Sequence, residues 1–157
     1  MSLSDLYQDI ILDHYKNPRD YGEMDDPDIY VEDNNPSCGD DLQLNLKLDD
    51  DEEVIDDVSF TGQGCAISMA SASLMADRLE GKTIEEAEEL RDKFKTMITS
   101  DEEPEDLKEE LGDLVSLKGV IKFPIRVKCA NLSWNTFKKG LNAHEEDGLP
   151  VEIIQNE

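Results

Sequence analysis

The sequence predicts an α+β domain: a small three-stranded antiparallel sheet with helices packed on it. Three observations carry that expectation. Leu42, Leu44, Leu46 and Leu48 alternate with Gln43, Asn45 and Lys47, the period of a strand with one buried face. An acidic turn at residues 49–53 then leads into a return strand at 54–60, with Val58 and Phe60 inward, which makes an antiparallel hairpin. Several helical patterns follow the hairpin rather than alternating with strands, which separates α+β from a parallel α/β layout. The 157 residues suit one domain spanning 1–157, without an internal repeat or a linker.

The elements follow in order. Ser4 is placed to cap a first helix, whose face carries Leu6, Ile10 and His14 with Leu3, Tyr7 and Ile11 alongside. Asn17-Pro18 stops it, because the residue before proline disfavours the helical region. Residues 19–40 are rich in Pro, Gly, Asn and Asp and predict a long ordered loop; Ile29, Tyr30 and Val31 supply a third strand within it, at 28–34. Residues 61–65, Thr-Gly-Gln-Gly-Cys, read as a turn because two glycines open unusual backbone angles. A helix rich in Ala and Ser is expected over 66–79, with side chains small enough to sit close to a sheet. Thr83-Ile-Glu-Glu86 has the spacing of a capping box and opens a helix to about residue 99. Pro104 and Gly112 bracket a short acidic helix. The last helix is expected over 128–143, with Leu132, Phe137 and Leu141 inward and Trp134 on a neighbouring face.

Composition excludes several functions. The formal charge is −24, from 15 basic and 39 acidic residues. A field of that sign repels phosphate backbones and anionic lipid, so neither nucleic acid nor a membrane surface is an expected partner. No run approaches the roughly 20 apolar residues of a membrane span, and no secretory signal is visible at the start, so a cytoplasmic location is expected. Single acidic runs are ordinary solvated surface. Their sum implies adaptation to concentrated salt, which screens self-repulsion.

The three cysteines, Cys38, Cys65 and Cys129, form no Cys-x-x-Cys pair and no disulfide framework, which suits a reducing compartment. A cysteine taken alone is more often a small buried hydrophobe than a ligand. Context shifts that balance. Cys38 lies in a run of turn formers, Asn-Asn-Pro-Ser-Cys-Gly-Asp; Cys65 lies between a glycine-rich turn and a helix start; Cys129 lies near the start of the last helix. Helix N-termini stabilise thiolate, and Lys122, Arg126 and Lys128 add positive charge near Cys129. Asp40, two residues after Cys38, adds a carboxylate from the same turn. Three thiolates and a carboxylate suit tetrahedral zinc, or a partial site for iron and sulfide. The oxygen ligand is the easiest of the four to displace. His14 reads as a packed, hydrogen-bonded residue and His144 as solvent-exposed. No histidine stands near a Ser or Cys in sequence to support a hydrolase triad.

Four motifs in one order carry a resemblance. They are Tyr7-x-x-x-Ile11-Leu-Asp-His-Tyr-Lys-Asn-Pro-Arg19, Asn35-Pro-Ser-Cys-Gly-Asp40, Phe60-x-Gly-x-Gly-Cys65-Ala-Ile-Ser-x-Ala-Ser-Ala-Ser, and Arg126-x-Lys-Cys129. Over about residues 4–141 the chain resembles the IscU/SufU/NifU-N family of iron–sulfur cluster assembly proteins. It looks like the SufU branch, with that branch's helical insertion around 91–113 and Lys128 where the IscU branch has a histidine. The resemblance implies the small antiparallel sheet with helices on one side. It also implies a sulfurtransferase-like carrier that takes persulfide sulfur on Cys38 from a cysteine desulfurase of the SufS type. Zn2+ is then held by Cys38, Asp40, Cys65 and Cys129, with Cys38 exchangeable, and Arg126 supports the partner contact or the local charge. A SufBCD-type scaffold or apo iron–sulfur proteins are the implied recipients. The alternative is a scaffold on which an Fe–S cluster is built on the same four residues. A third reading is an acidic interaction domain whose cysteines are only packed.

Overall fold

The computed structural model of the chain describes residues 3–35, 39–99 and 111–154. In chain order these are helix α1 (Leu3–Lys16), strands β1 (Ile29–Asn35), β2 (Asp40–Leu48) and β3 (Ile55–Gln63), helices α2 (Ala66–Leu79) and α3 (Ile84–Thr99), a 3-10 helix (Gly112–Lys122), helix α4 (Pro124–Asp147) and strand β4 (Val151–Ile153). The α+β class is as expected. The sheet, however, has four strands, in the order β3-β2-β1-β4. The fourth is a three-residue strand that returns from α4 and pairs parallel with β1, Ile29 against Val151. Its shortness hides it in the sequence, because three residues show no periodicity.

The two antiparallel pairings bring the future site together. β1 pairs with β2 from Ile29↔Leu46 to Asn35↔Asp40, so the two strands meet at Asn35 and Asp40. β2 pairs with β3 through Leu42↔Gly62 and Asp41↔Gln63. The expected turn at 61–65 is therefore strand as far as Gln63. Gly62 has φ +144 and a Cβ there would collide with the Asp41 carbonyl oxygen, so the missing side chain permits strand contact rather than a reverse turn. The actual turn is only Gly64 and Cys65.

The leucine face of β2 is buried as the alternation demands, with Leu42, Leu44 and Leu46 at 1% exposure or less. α4 lies over β1 and β2, α2 lies against β3, and α1 packs on α2. α2 buries Ala70, Ala72 and Ala76 with Ser68, Ser71 and Ser73, which lets it approach the sheet and its neighbours closely. The Thr83–Glu86 capping box forms as expected, with reciprocal N–H···O bonds of 3.0 Å, and α3 runs to Thr99. Phe94 stacks on Trp134 at 4.8 Å between α3 and α4. Leu6, expected on the inner face of α1, is 46% exposed; the buried anchor of that helix is His14.

The last helix begins at Pro124, four residues before its expected start, with proline in its first turn, where a missing N–H costs nothing. Cys129 therefore stands in its second turn rather than at its end. The short acidic helix expected between Pro104 and Gly112 falls largely outside the described residues, as does much of the insertion at 91–113. Among the described residues, no helix is long and apolar enough to cross a membrane.

Candidate metal centre

Asp40 opens β2 and is only 1% exposed. A buried carboxylate needs partners. Its Oδ1 accepts the Cys65 backbone N–H at 2.8 Å, and its Oδ2 lies 4.0 Å from Cys65 Sγ. Cys65 is the N-cap of α2, with extended φ −69 and ψ 164, and its Sγ accepts the Ser68 N–H at 3.4 Å. Sulfur here does what a Ser or Asp oxygen does at an ordinary N-cap. It also sits at the N-terminal end of the helix, among the first-turn N–H groups. Gly64 makes the approach possible. A Cβ at that position would overlap the Asp40 carboxylate, reaching its Cγ at 2.8 Å.

Cys129 comes from the opposite side, on α4, and is fully buried. Asn35, the last residue of β1, places its side-chain Nδ2 4.0 Å from Cys129 Sγ. One donor atom each from Asp40, Cys65 and Cys129 lies within 4.8 Å of the other two. A tetrahedral zinc with sulfur and oxygen ligands needs donor–donor edges of about 3.5–3.8 Å, so in the reduced protein the set has to draw together by about 1 Å to close around an ion. Two sulfurs and one carboxylate oxygen are a donor set that suits zinc. The expected ligands Asp40, Cys65 and Cys129 are thus gathered by three different elements; Cys38 lies outside the described residues, in the segment joining Asn35 to Gly39 and Asp40.

Arg126, assigned a supporting role, projects as an exposed residue one turn before Cys129, as does Lys128 just beside it, and neither belongs to the donor cluster. His14 is the packed residue expected: its Nδ1 lies 2.8 Å from Ser73 Oγ, and burial, helped by the Arg19 charge, pushes its pKa below the usual imidazole value. The same Ser73 oxygen accepts the Arg19 backbone N–H at 2.8 Å, pinning the loop after α1 to α2. His144 is a correction. Its side chain is 16% exposed and its Nε2 lies 2.8 Å from Glu52 Oε1, joining α4 to the β2–β3 turn. Asn35 and Gly64 belong to the site and were not singled out from the sequence. Gly64 had a signal, a glycine directly before a helix-capping cysteine; Asn35 opens a sequence motif, but its contact with a residue 94 positions away had none.

Beside Gly64 opens a cleft of about 280 Å³, lined by Tyr15, Pro18, Tyr21, Phe60 and Met69. Tyr15 and Tyr21 are 44% and 51% exposed and give the cleft an aromatic rim next to Gly64.

A family model described as the NifU-like N terminal domain matches residues 6–143. The chain belongs to this family. It is 47% identical over 147 residues to the zinc-dependent sulfurtransferase SufU of Bacillus subtilis (strain 168), covering 94% of this chain and 96% of that protein. It is 43% identical to the iron-sulfur cluster assembly scaffold protein IscU of Streptococcus pyogenes serotype M1, over 88% and 84% of the two chains. Among solved structures, an iron-sulfur cluster assembly scaffold candidate for the SUF system from Fervidobacterium islandicum AW-1 superposes with TM-score 0.78 at 33% identity, covering 89% of this chain and 99% of that one. The N-terminal NifU-like protein of Brucella abortus, at 23% identity and TM-score 0.77, shares the fold. Within the NifU-like family this chain is a SufU-type member.

Proposed function

We propose that this protein is a zinc-dependent sulfur carrier of iron–sulfur cluster assembly, receiving persulfide sulfur on Cys38 from a cysteine desulfurase. The observation that carries the reading is the convergence of Asp40, Cys65 and Cys129 within 4.8 Å, next to the segment that bears Cys38. The high identity to a zinc-dependent sulfurtransferase across nearly the whole of both chains supports it.

Zinc, when bound, would be held by Cys38, Asp40, Cys65 and Cys129 and would keep its thiolate ligands deprotonated. The chain supplies the rest. Cys38 is the sulfur-accepting nucleophile: its thiolate attacks the terminal sulfur of the donor's persulfide, a new S–S bond forms on Cys38, and the donor cysteine leaves as thiolate. Asp40 would offer zinc a hard oxygen among soft sulfurs, the most readily exchanged donor of the set. Cys65 and Cys129 stay as anchors, the first at a helix N-cap and the second fully buried. Exposed Arg126 and Lys128 offset the negative charge of the centre and face an incoming partner. The apolar cleft at Tyr15 and Tyr21 gives a desulfurase of the SufS type a surface to dock against. The carried sulfur would pass to a SufBCD-type scaffold or to apo iron–sulfur proteins.

The test is the metal and acid-labile sulfide content of protein purified anaerobically in high salt. About one zinc per chain without sulfide is expected. Iron and sulfide in similar amounts would replace the carrier with the scaffold reading that the IscU relative suggests. Protein that takes up no metal and has three unreactive cysteines would overturn both.

A further inference from the structure

We propose that Asp33 is a positioning residue for the metal centre, setting through Thr136 and Lys139 the register of α4 along β1 and hence the distance of Cys129 from Asp40. The proposal rests on the reading of Asp40, Cys65 and Cys129 as metal ligands.

β1 and α4 run in opposite directions and touch at three levels. At the far end Gly140 meets the inner face of β1, where a Cβ would lie 2.8 Å from Ile29 Cγ2 and 3.1 Å from Val31 Cγ2. In the middle Asp33 Oδ2 accepts the Lys139 ammonium at 2.9 Å and lies 3.0 Å from the Thr136 hydroxyl, whose one proton is shared with the Leu132 carbonyl at 2.8 Å, while its Oδ1 accepts the Asn34 N–H at 2.9 Å. At the site end Asn35 faces Cys129. The spacings agree. From the centre of the Gly140 contact to Asn35 is about 16 Å of strand at about 3.3 Å per residue. From Gly140 back to Cys129 is about 16 Å of helix at about 1.5 Å per residue.

Two of those levels do not fix a register by themselves. Gly140 against two methyl groups permits sliding, and the Asn35–Cys129 amide-to-sulfur contact is itself long, at 4.0 Å. Asp33 is different, because it is 7% exposed and charged. A buried carboxylate is tolerable only with its partners in place, which makes it a specifier of alignment rather than a source of net stability. Lys139 is 52% exposed on its side chain, so it returns to water at little cost when Asp33 loses its charge. The pair can therefore be broken without leaving a stranded buried cation. Asp33 also stands two residues before Asn35, which pairs with Asp40. One strand thus joins the anchor on α4 to the carboxylate of the centre.

The test uses the full chain in high salt, with Asp33→Asn, Lys139→Met, the double variant and Lys139→Arg. Zinc affinity is read by competition with a chromophoric chelator, and site geometry by the visible spectrum of the cobalt-loaded protein. Asp33→Asn and Lys139→Met are each expected to weaken zinc about tenfold, the usual lower end for residues that orient metal ligands. The double variant is expected to lose no more than either alone, and Lys139→Arg to restore both affinity and spectrum. Wild-type affinity and an unchanged cobalt spectrum in folded Asp33→Asn and Lys139→Met would overturn the proposal, even if melting temperatures fall, because Asp33 would then only stabilise the fold. Should Asp33→Asn fail to fold, Lys139→Met decides in the same way. Wild-type protein that takes up no metal would sink the metal reading instead. The register is then read by bridging Cys65 to Cys129 with a small arsenical in reduced protein: severalfold slower bridging in the variants supports the proposal, and equal rates overturn it.

Discussion

Cys65 carries two roles that one substitution can separate. Its sulfur caps α2 by accepting the Ser68 N–H and is one of the clustered donors. Serine is a better N-cap than cysteine but a poor zinc ligand. Cys65→Ser is therefore expected to melt within about 1 kcal/mol of wild type while losing zinc affinity by a hundredfold or more. Calorimetry of the metal-free protein beside chelator competition checks both halves. Gly64→Ala tests the neighbouring backbone. Its new Cβ would occupy the space of the Asp40 carboxylate, and Asp40 would have to give up its bond to the Cys65 N–H. Zinc is expected to be retained and sulfur transfer to fall at least tenfold. Asp40→Ala, which removes the oxygen and leaves the sulfurs, is expected to retain zinc and lose turnover in sulfur transfer from a desulfurase. Transfer at the wild-type rate would show that Asp40 is no functional ligand.

At the scale of elements, the edge of β3 carries an acidic knot. Loop residues 20–22 pair with β3 at Phe60, and residues 81–83 pair at its other end, so the edge strand is covered. Between them Glu80, at the C-cap of α2, makes contact with Asp20 and Asp57, and Asp77 adds a like charge to Asp20. Desolvation and the Asp20 charge push the Glu80 pKa from 4.5 up to about 7, and burial raises that of Asp20 as well. A raised carboxylate pKa means the folded state holds the proton more tightly than the unfolded state. The contribution is therefore stabilising at low pH and is lost as pH climbs from about 4.5 through about 7. Glu80 is largely exposed, so solvent screening reduces the effect to about 1 kcal/mol. Glu80→Gln is expected to raise the melting temperature at pH 8 and leave it nearly unchanged at pH 5. His14 works in the opposite sense, since its lowered pKa costs stability as pH falls through about 6.5. The comparison of Glu80→Gln with wild type at each pH removes that common background.

What the sequence disclosed about these elements follows from the range of the forces involved. α2 and the start of α3 were legible because small-residue runs and a capping box act within a few residues. β2 was legible because its leucines alternate. β4 was not, since three residues acquire strand character only by pairing with β1 across the chain. Gly62 misled because glycine signals both a turn and a close strand approach, and only the neighbouring Asp41 carbonyl decides between them. The site shows the same division. The clustered donors Asp40, Cys65 and Cys129 were legible as residue types in loops and helix starts, but Asn35 and Asp33 meet α4 through contacts that span about a hundred positions.

On the whole molecule, −24 charges on 157 residues pose one physical problem. Pairing does little to offset them, because ion pairs such as Arg19–Asp13 at 2.7 Å are exposed and contribute little each. The knot around Glu80 shows carboxylates pressed together rather than spread apart. Self-repulsion of this kind weakens as the screening length falls from about 10 Å at 0.1 M to about 3 Å at 1 M salt. The melting temperature is therefore expected to rise by roughly 10 °C between 0.1 and 2 M KCl, equivalent to a few kcal/mol for a domain of this size. Glu80→Gln is expected to gain less than wild type over the same range at pH 8, because one source of repulsion is already gone. Melts of both proteins across the KCl series, with sucrose at matched osmolality as the uncharged control, measure this directly. A flat salt response would show that the acidic surface is fully solvated at low salt and that the charge excess has no bearing on folding. An equal rise in sucrose would assign the effect to solvent exclusion instead of screening. A rise confined to KCl and blunted in Glu80→Gln would place at least part of the salt requirement at the edge of β3, the strand that leads directly into Gly64 and Cys65.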